Sequence, residues 1–287
     1  MQYRFMRFPE GKAKALTLSY DDGPKYDVKL AKLLDKYGLK CTFNLTNSVT
    51  TAKPGDYNLC AEDINEFLLK SGHEVAVHTA HHIASGQSTV TMGIKEVLEC
   101  RNALEKMLGR IIKGMAYPNS GIRMLTEKVT VDKICSYLKD LGIVYARTLG
   151  EDNNSFALPI DWYRWMPTCH HNNPRLMEWL EEFKGINTEN SYYSTKYPRL
   201  FYLWGHTHEF ERQNNWEVIE QFCEGAAQAT DIWFATNMEI YRYTNAYYSL
   251  HFSADESIVY NPTVITVWFE CDGKLYTIKP DETLVIK

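Results

Sequence analysis

Short apolar runs recur along the first 235 positions, separated by stretches whose apolar residues fall three or four apart. The runs at Ala15–Tyr20, Lys40–Leu45, Glu74–His78, Lys113–Tyr117, Ile143–Arg147, Leu200–Trp204 and Ile232–Ala235 predict strands. Between them, Leu30, Leu33, Leu34 and Tyr37 fall on one face of a helix, and Ile94, Val97 and Leu98 repeat that spacing. Ile134, Leu138 and Leu141 mark another helix, and Trp216, Ile219, Cys223 and Ala226 a later one. Seven strand–helix alternations predict an α/β fold, a barrel of parallel strands one unit short of the eight-stranded form. An open doubly wound sheet has the same periodicity and competes with it.

Two stretches depart from this rhythm. Gly150–Asn173 is rich in Asn, Pro and Trp and reads as an ordered loop over one end of the barrel, where function tends to sit. After about Asn245, strands are expected at Ser249–Ser253, Thr263–Glu270, Leu275–Ile278 and Thr283–Ile286, with a hairpin turn at Cys271-Asp272-Gly273. The expected organisation is a barrel over 1–245 and a small antiparallel β appendage over 246–287, with no internal repeat.

Composition narrows the classes. The net charge of −5, without any Lys/Arg run, argues against nucleic acid or an anionic membrane as a partner. Seven scattered cysteines without a C-x-x-C pair suit a reducing compartment and offer no zinc-ribbon spacing. The N-terminal residues lack an apolar signal region and no run is long enough to span a membrane, so a cytoplasmic location is expected. Nineteen tyrosines and seven tryptophans fit either an aromatic core or a groove that stacks on sugar rings. Oligomeric state leaves no mark in the sequence.

Three constellations carry candidate chemistry. Asp21 and Asp22 end the first strand; adjacent carboxylates repel unless a cation or proton lies between them. A plain surface turn before the next helix is the competing reading. His78, His81 and His82 follow the third strand, with His78 and His82 one helical turn apart and able to face one point. With Asp22 they form a His₂Asp set that leaves a coordination position open, as catalytic metal sites do. His206 and His208 end the sixth strand, and either can act as a general acid because imidazole titrates near neutral pH. His170 and His171 read as pocket mouth or as loop.

Together these residues resemble the polysaccharide deacetylase family, the NodB-homology deacetylases of carbohydrate esterase family 4. The resemblance runs over roughly 245 residues in the family's motif order. Ser19-Tyr20-Asp21-Asp22-Gly23 is similar to the first motif, and His78 to His82 to the second. The resemblance implies a distorted barrel of seven β/α units, Asp21 as catalytic base, and Asp22, His78 and His82 as ligands of a divalent metal. Zinc is the expected metal, and such a set also accepts cobalt or nickel.

The later motifs depart from the family. Ala116-Tyr117-Pro118-Asn119 lacks the usual arginine of the third motif, and Thr207 replaces an aspartate after His206. Arg147, ending the fifth strand, is the candidate to supply the missing charge, with Arg164 as second choice. Asp161 of a loosely matched fourth motif is the candidate to orient His206. The backbone near Asn119 can serve an oxyanion, Tyr117 lies beside it, and Trp162 and Trp204 are candidates to enclose an acyl methyl. The implied activity is removal of an acetyl group from an N- or O-acylated carbohydrate. Alternatives are a metal-retaining sugar-binding protein without turnover, a hydrolase of another non-peptide amide (formamide or imide), and an interaction role for the appendage.

Overall fold

The structure, a computed structural model, describes residues 3–126, 129–149, 153–189 and 195–286. A short strand β1 (Arg4–Arg7) precedes β2 (Lys14–Asp22), the longest strand and the one on which the barrel is organised. Its side chains alternate. Leu16, Leu18 and Tyr20 point into the main core, whereas Thr17, Ser19 and Asp21 face a polar interior. Helix α1 (Asp27–Tyr37) buries Leu30 and Leu34 and ends at Gly38, whose φ of 71° supplies the left-handed cap.

There follow β3 (Cys41–Leu45), β4 (Glu74–Val77), α2 (Val90–Leu108), β5 (Gly114–Ala116), α3 (Val131–Asp140), β6 (Tyr145–Arg147), β7 (Cys169–His170) and α4 (Leu176–Gly185). Then come β8 (Arg199–Gly205), α5 (Thr207–Gln213), α6 (Trp216–Ala227), β9 (Ile232–Phe234) and α7 (Asn237–Tyr248). The strands are parallel and ordered β6-β5-β4-β3-β2-β8-β7, with β9 pairing the lower half of β2. This is a curled sheet, a distorted (β/α)7 barrel, and not an open doubly wound one. On the β6 side, among the described residues, a parallel bridge joins Arg147 to Trp165 at the opening.

The seven expected strands are present, most trimmed by a residue or two. Strand β7 was not expected, because it is two residues long and embedded in Asn-, Pro- and Trp-rich sequence. The expected loop over 150–173 therefore contains a sheet strand and a single helical turn at Trp162–Arg164; Gly150, Glu151 and Asp152 lie outside the described residues.

Two three-stranded antiparallel sheets complete the chain. One comprises β10 (His251–Phe252), β11 (Ile258–Tyr260) and β14 (Thr283–Val285). The other joins β12 (Val267–Cys271) and β13 (Lys274–Ile278) to β1, which the sequence pattern did not foresee. The β12–β13 hairpin closes through Asp272 and Gly273, both at positive φ, as a two-residue turn of this hand requires. Helix α7 runs through position 245 and packs Ile240 and Tyr243 on the barrel side and Ala246 against the C-terminal sheets. Among the described residues no helix is long and apolar enough to cross a membrane.

Candidate active site

The candidate residues gather at the C-terminal ends of the barrel strands, the end at which β/α folds assemble their sites. Asp21 and Asp22 end β2, His78 follows β4, Arg147 ends β6, His170 ends β7, and Trp204 and His206 lie at the end of β8. Chain geometry there is costly. Asp22, Thr79, His82 and Asn119 all adopt positive φ, at 79°, 62°, 58° and 51°. For a β-branched residue such as Thr79 that is an outlier, and four neighbouring positions held this way mark a site where packing overrides local preference.

These turns bring three donors together. The Oδ1 atom of Asp22 lies 3.6 Å from His78 Nε2 and 3.2 Å from His82 Nε2. The approach differs from the expected helical turn: no helix links the two histidines, and the left-handed residues Thr79 and His82 fold the loop back instead. His81, between them, points away and pairs with Glu96 at 2.8 Å. His78 Nδ1 lies 2.9 Å from the Ala116 carbonyl and so carries the proton. Its Nε2 is then a lone pair, buried and without a hydrogen-bond partner, facing a carboxylate. Two acceptors held face to face fit a cation between them. Burial pushes the His78 imidazole below its ordinary value, which favours the neutral form a ligand needs. Burial opposes ionisation of Asp22, but His82, His78 and His206 outweigh it and hold the carboxyl well below the usual range.

Asp21 is fixed from two sides. Asn44 on β3 donates to Oδ1 at 2.8 Å, and the Arg147 guanidinium donates to Oδ2. Arg147 is completely buried, with its guanidinium carbon 4.5 Å from the centre of the Trp204 ring. His206 Nε2 lies 4.0 Å from Asp21 Oδ2, a gap that one reacting atom can bridge.

Other expected residues lie elsewhere. Asp161 caps the turn at Trp162–Arg164, accepting from the Tyr163 N–H and pairing with Arg164 at 3.1 Å; the carboxylate on the Nδ1 side of His206 is Glu209. Trp162 packs edge-on against Trp165 and Tyr241 in a second apolar cluster, because its loop folds down the side of the barrel. Tyr117 is buried and donates its hydroxyl to the Tyr163 carbonyl. Arg164 also pairs with Asp132 at the surface. Asn119 stays at the site, donating from its side chain to the His82 carbonyl at 2.7 Å. Thr207 donates to the buried Asp27 and ties the start of α5 to that of α1.

Residues missed from the sequence are Asn44 and Glu209. Asn44 is a polar residue in an otherwise apolar strand, and Glu209 is three residues after His206, one helical turn away; both were readable signals.

Residues 9–146 match the family model described as polysaccharide deacetylase. This segment resembles the polysaccharide deacetylase family. The deacetylase match takes in Asp21, Asp22, His78 and His82 and stops one residue before Arg147. No curated protein matches the sequence. Among solved structures, Puue allantoinase is 14% identical with a TM-score of 0.56, covering 82% of this chain and 91% of its own. The Xyl-CE4 domain of a multidomain xylanase from the hindgut metagenome of Trinervitermes trinervoides is 16% identical with a TM-score of 0.52, covering 81% and 92%. The catalytic domain of a peptidoglycan N-acetylglucosamine deacetylase from Eubacterium rectale is 19% identical with a TM-score of 0.50, also covering 81% and 92%. At such identities the shared property is the fold alone.

Proposed function

We propose that the protein is a divalent-metal-dependent hydrolase that removes an acetyl group from an N- or O-acylated carbohydrate. One observation carries the reading: a lone-pair Nε2 of His78 and the carboxylate of Asp22 face each other beside a second, Arg-paired carboxylate. Asp22, His78 and His82 would hold the cation, zinc first and cobalt or nickel as substitutes. When bound, the cation supplies Lewis-acid polarisation of the scissile carbonyl.

The chain's own residues divide the remaining work. Asp21 accepts a proton from the attacking water as the new C–O bond forms. Arg147 and Asn44 hold its two oxygens, so the base keeps one orientation. His206, on the opposite side of the same gap, delivers a proton to the leaving nitrogen or oxygen as the acyl bond breaks. The imidazole is suited to this because its pKa is raised: burial lowers it, and Glu209, Asp21 and Asp22 more than offset that. A backbone N–H at the Asn119 turn would receive the oxyanion, a contribution of about 3 kcal/mol per donor. Trp204, stacked under Arg147, forms an apolar wall for the acyl methyl. The test is acetate release by metal-analysed protein from a panel of acetylated oligosaccharides. Release that disappears on chelation is expected, and no release from any N- or O-acetylated member of the panel would overturn the proposal.

A further inference from the structure

A second trio of donors lies beside the first: His170, His171 and Glu209. Glu209 Oε2 is 3.3 Å from His170 Nε2 and 2.9 Å from His171 Nε2, and it accepts from the Asn172 side chain at 2.9 Å. Its other oxygen, Oε1, is 3.4 Å from His206 Nδ1. By composition this trio copies the His₂-carboxylate set of Asp22, His78 and His82, yet the tautomers separate the two. His78 gives its Nδ1 proton to a carbonyl and leaves Nε2 as a lone pair. His170 does the reverse. Its Nδ1 accepts the Asn172 backbone N–H at 3.1 Å, so a neutral ring carries its proton on Nε2, directed toward Glu209. A protonated nitrogen cannot be a metal ligand.

We infer that Glu209 is the positioning residue for His206, an anion that orients the imidazole and stabilises its charged form while the rings of His170 and His171 wall it in. The contacts are consistent in direction. Glu209 accepts from Asn172, in the turn after β7, on the oxygen that lies close to His170 and His171, and meets His206 on the other. His171 lies between the rings of Tyr20 and Phe210, and a Cβ at position 205 would stand 1.9 Å from its Nδ1. Only glycine fits there, which lets β8 deliver His206 directly against this wall. The charged or titratable groups facing His206 are Glu209 and His208 from α5, Asp21 and Asp22 from β2, His170 from β7 and His171 just after it. Glu209 is the carboxylate nearest to Nδ1; Asp21 lies on the Nε2 side.

The inference rests on His206 being the proton donor of the proposed hydrolysis, but one arm of its test does not require turnover. The full-length, zinc-loaded protein is titrated by NMR, following the imidazole signal that His206→Gln removes. Glu209→Gln should shift that titration at least tenfold toward lower pH, and Glu209→Asp should restore part of it. The second arm compares an N-acetylated sugar with 4-nitrophenyl acetate, whose leaving group needs no proton. Glu209→Gln should reduce kcat about 10²-fold on the sugar, with little change in KM, and hold the aryl ester rate within a few-fold. An unmoved His206 titration in Glu209→Gln would overturn the inference, as would equal losses on both substrates. Loss of a second metal equivalent from that variant would assign the trio to a cation instead. Failure of the wild-type enzyme on every acetylated sugar would count against the proposed function and leave the titration arm decisive.

Discussion

Arg147 and Asp21 form a buried ion pair across the mouth of the barrel, joining the ends of β6 and β2. The two strands are separated in the sheet by β5, β4 and β3, so the pair spans the curl of the barrel and does not follow its hydrogen-bond ladder. Removing one partner leaves an uncompensated charge in the interior. Arg147→Ala should therefore destabilise the metal-free protein by about 3–5 kcal/mol in denaturant unfolding. It should also lose more activity than Arg147→Lys, which keeps the charge but not the planar fork. A loss below about 1 kcal/mol would indicate that the pair is not closed in solution.

Metal content separates His82 from His81. His82→Ala should remove the bound divalent metal measured by elemental analysis, and His81→Ala should retain it, since His81 turns outward to Glu96. Chelation should lower the melting temperature of the wild type and leave that of His82→Ala unchanged, because a ligand of the folded state stabilises by mass action. Equal metal in both variants would refute the ligand set.

A pH dependence of stability arises away from the site. Burial pushes the His73 imidazole down to about 4, opposed by Asp35 and assisted by Lys40. Its Nδ1 accepts the Cys41 N–H at 3.1 Å at the start of β3. The folded value lies below the unfolded one of about 6.5, so between the two the unfolded chain binds more protons. Stability is full above about pH 6.5 and falls as the pH drops toward 4, by up to roughly 3 kcal/mol. His73→Asn, which can still accept from Cys41, should flatten that fall. A variant with the same acid dependence as wild type would contradict it.

The barrel was legible because its strands are apolar runs flanked by helical spacing, and β2, β3 and β8 follow that rule almost residue for residue. Strand β7 was not, since two residues carry no period and its pairing with β8 is a long-range fact. The partnership of β1 with β12 is hidden for the same reason: 263 positions separate Arg7 from Glu270, its buried ion-pair partner. Within the site, the proximity of Asp22, His78 and His82 followed from the sequence, although the turn joining the histidines is left-handed rather than helical. The contact of Arg147 with Asp21 followed from its strand-end position. Asp161 and Trp162 did not reach the site, because placement of a long loop depends on packing against Trp165 and Tyr241 that sequence spacing cannot specify.

The two adjacent aspartates give the sharpest test, since identical side chains are assigned unlike tasks. Asp22 faces His78 and His82 through one oxygen, whereas Asp21 has one oxygen on Asn44 and the other on Arg147. The decisive measurement is metal content and acetate release for Asp21→Asn and Asp22→Asn from matched preparations. Asp22→Asn should lose metal and activity together. Asp21→Asn should keep its metal while turnover falls about 10²–10⁴-fold, because an amide cannot accept the proton. Wild-type turnover by Asp21→Asn, or equal metal loss from both variants, would contradict the assignment of Asp21 as the base.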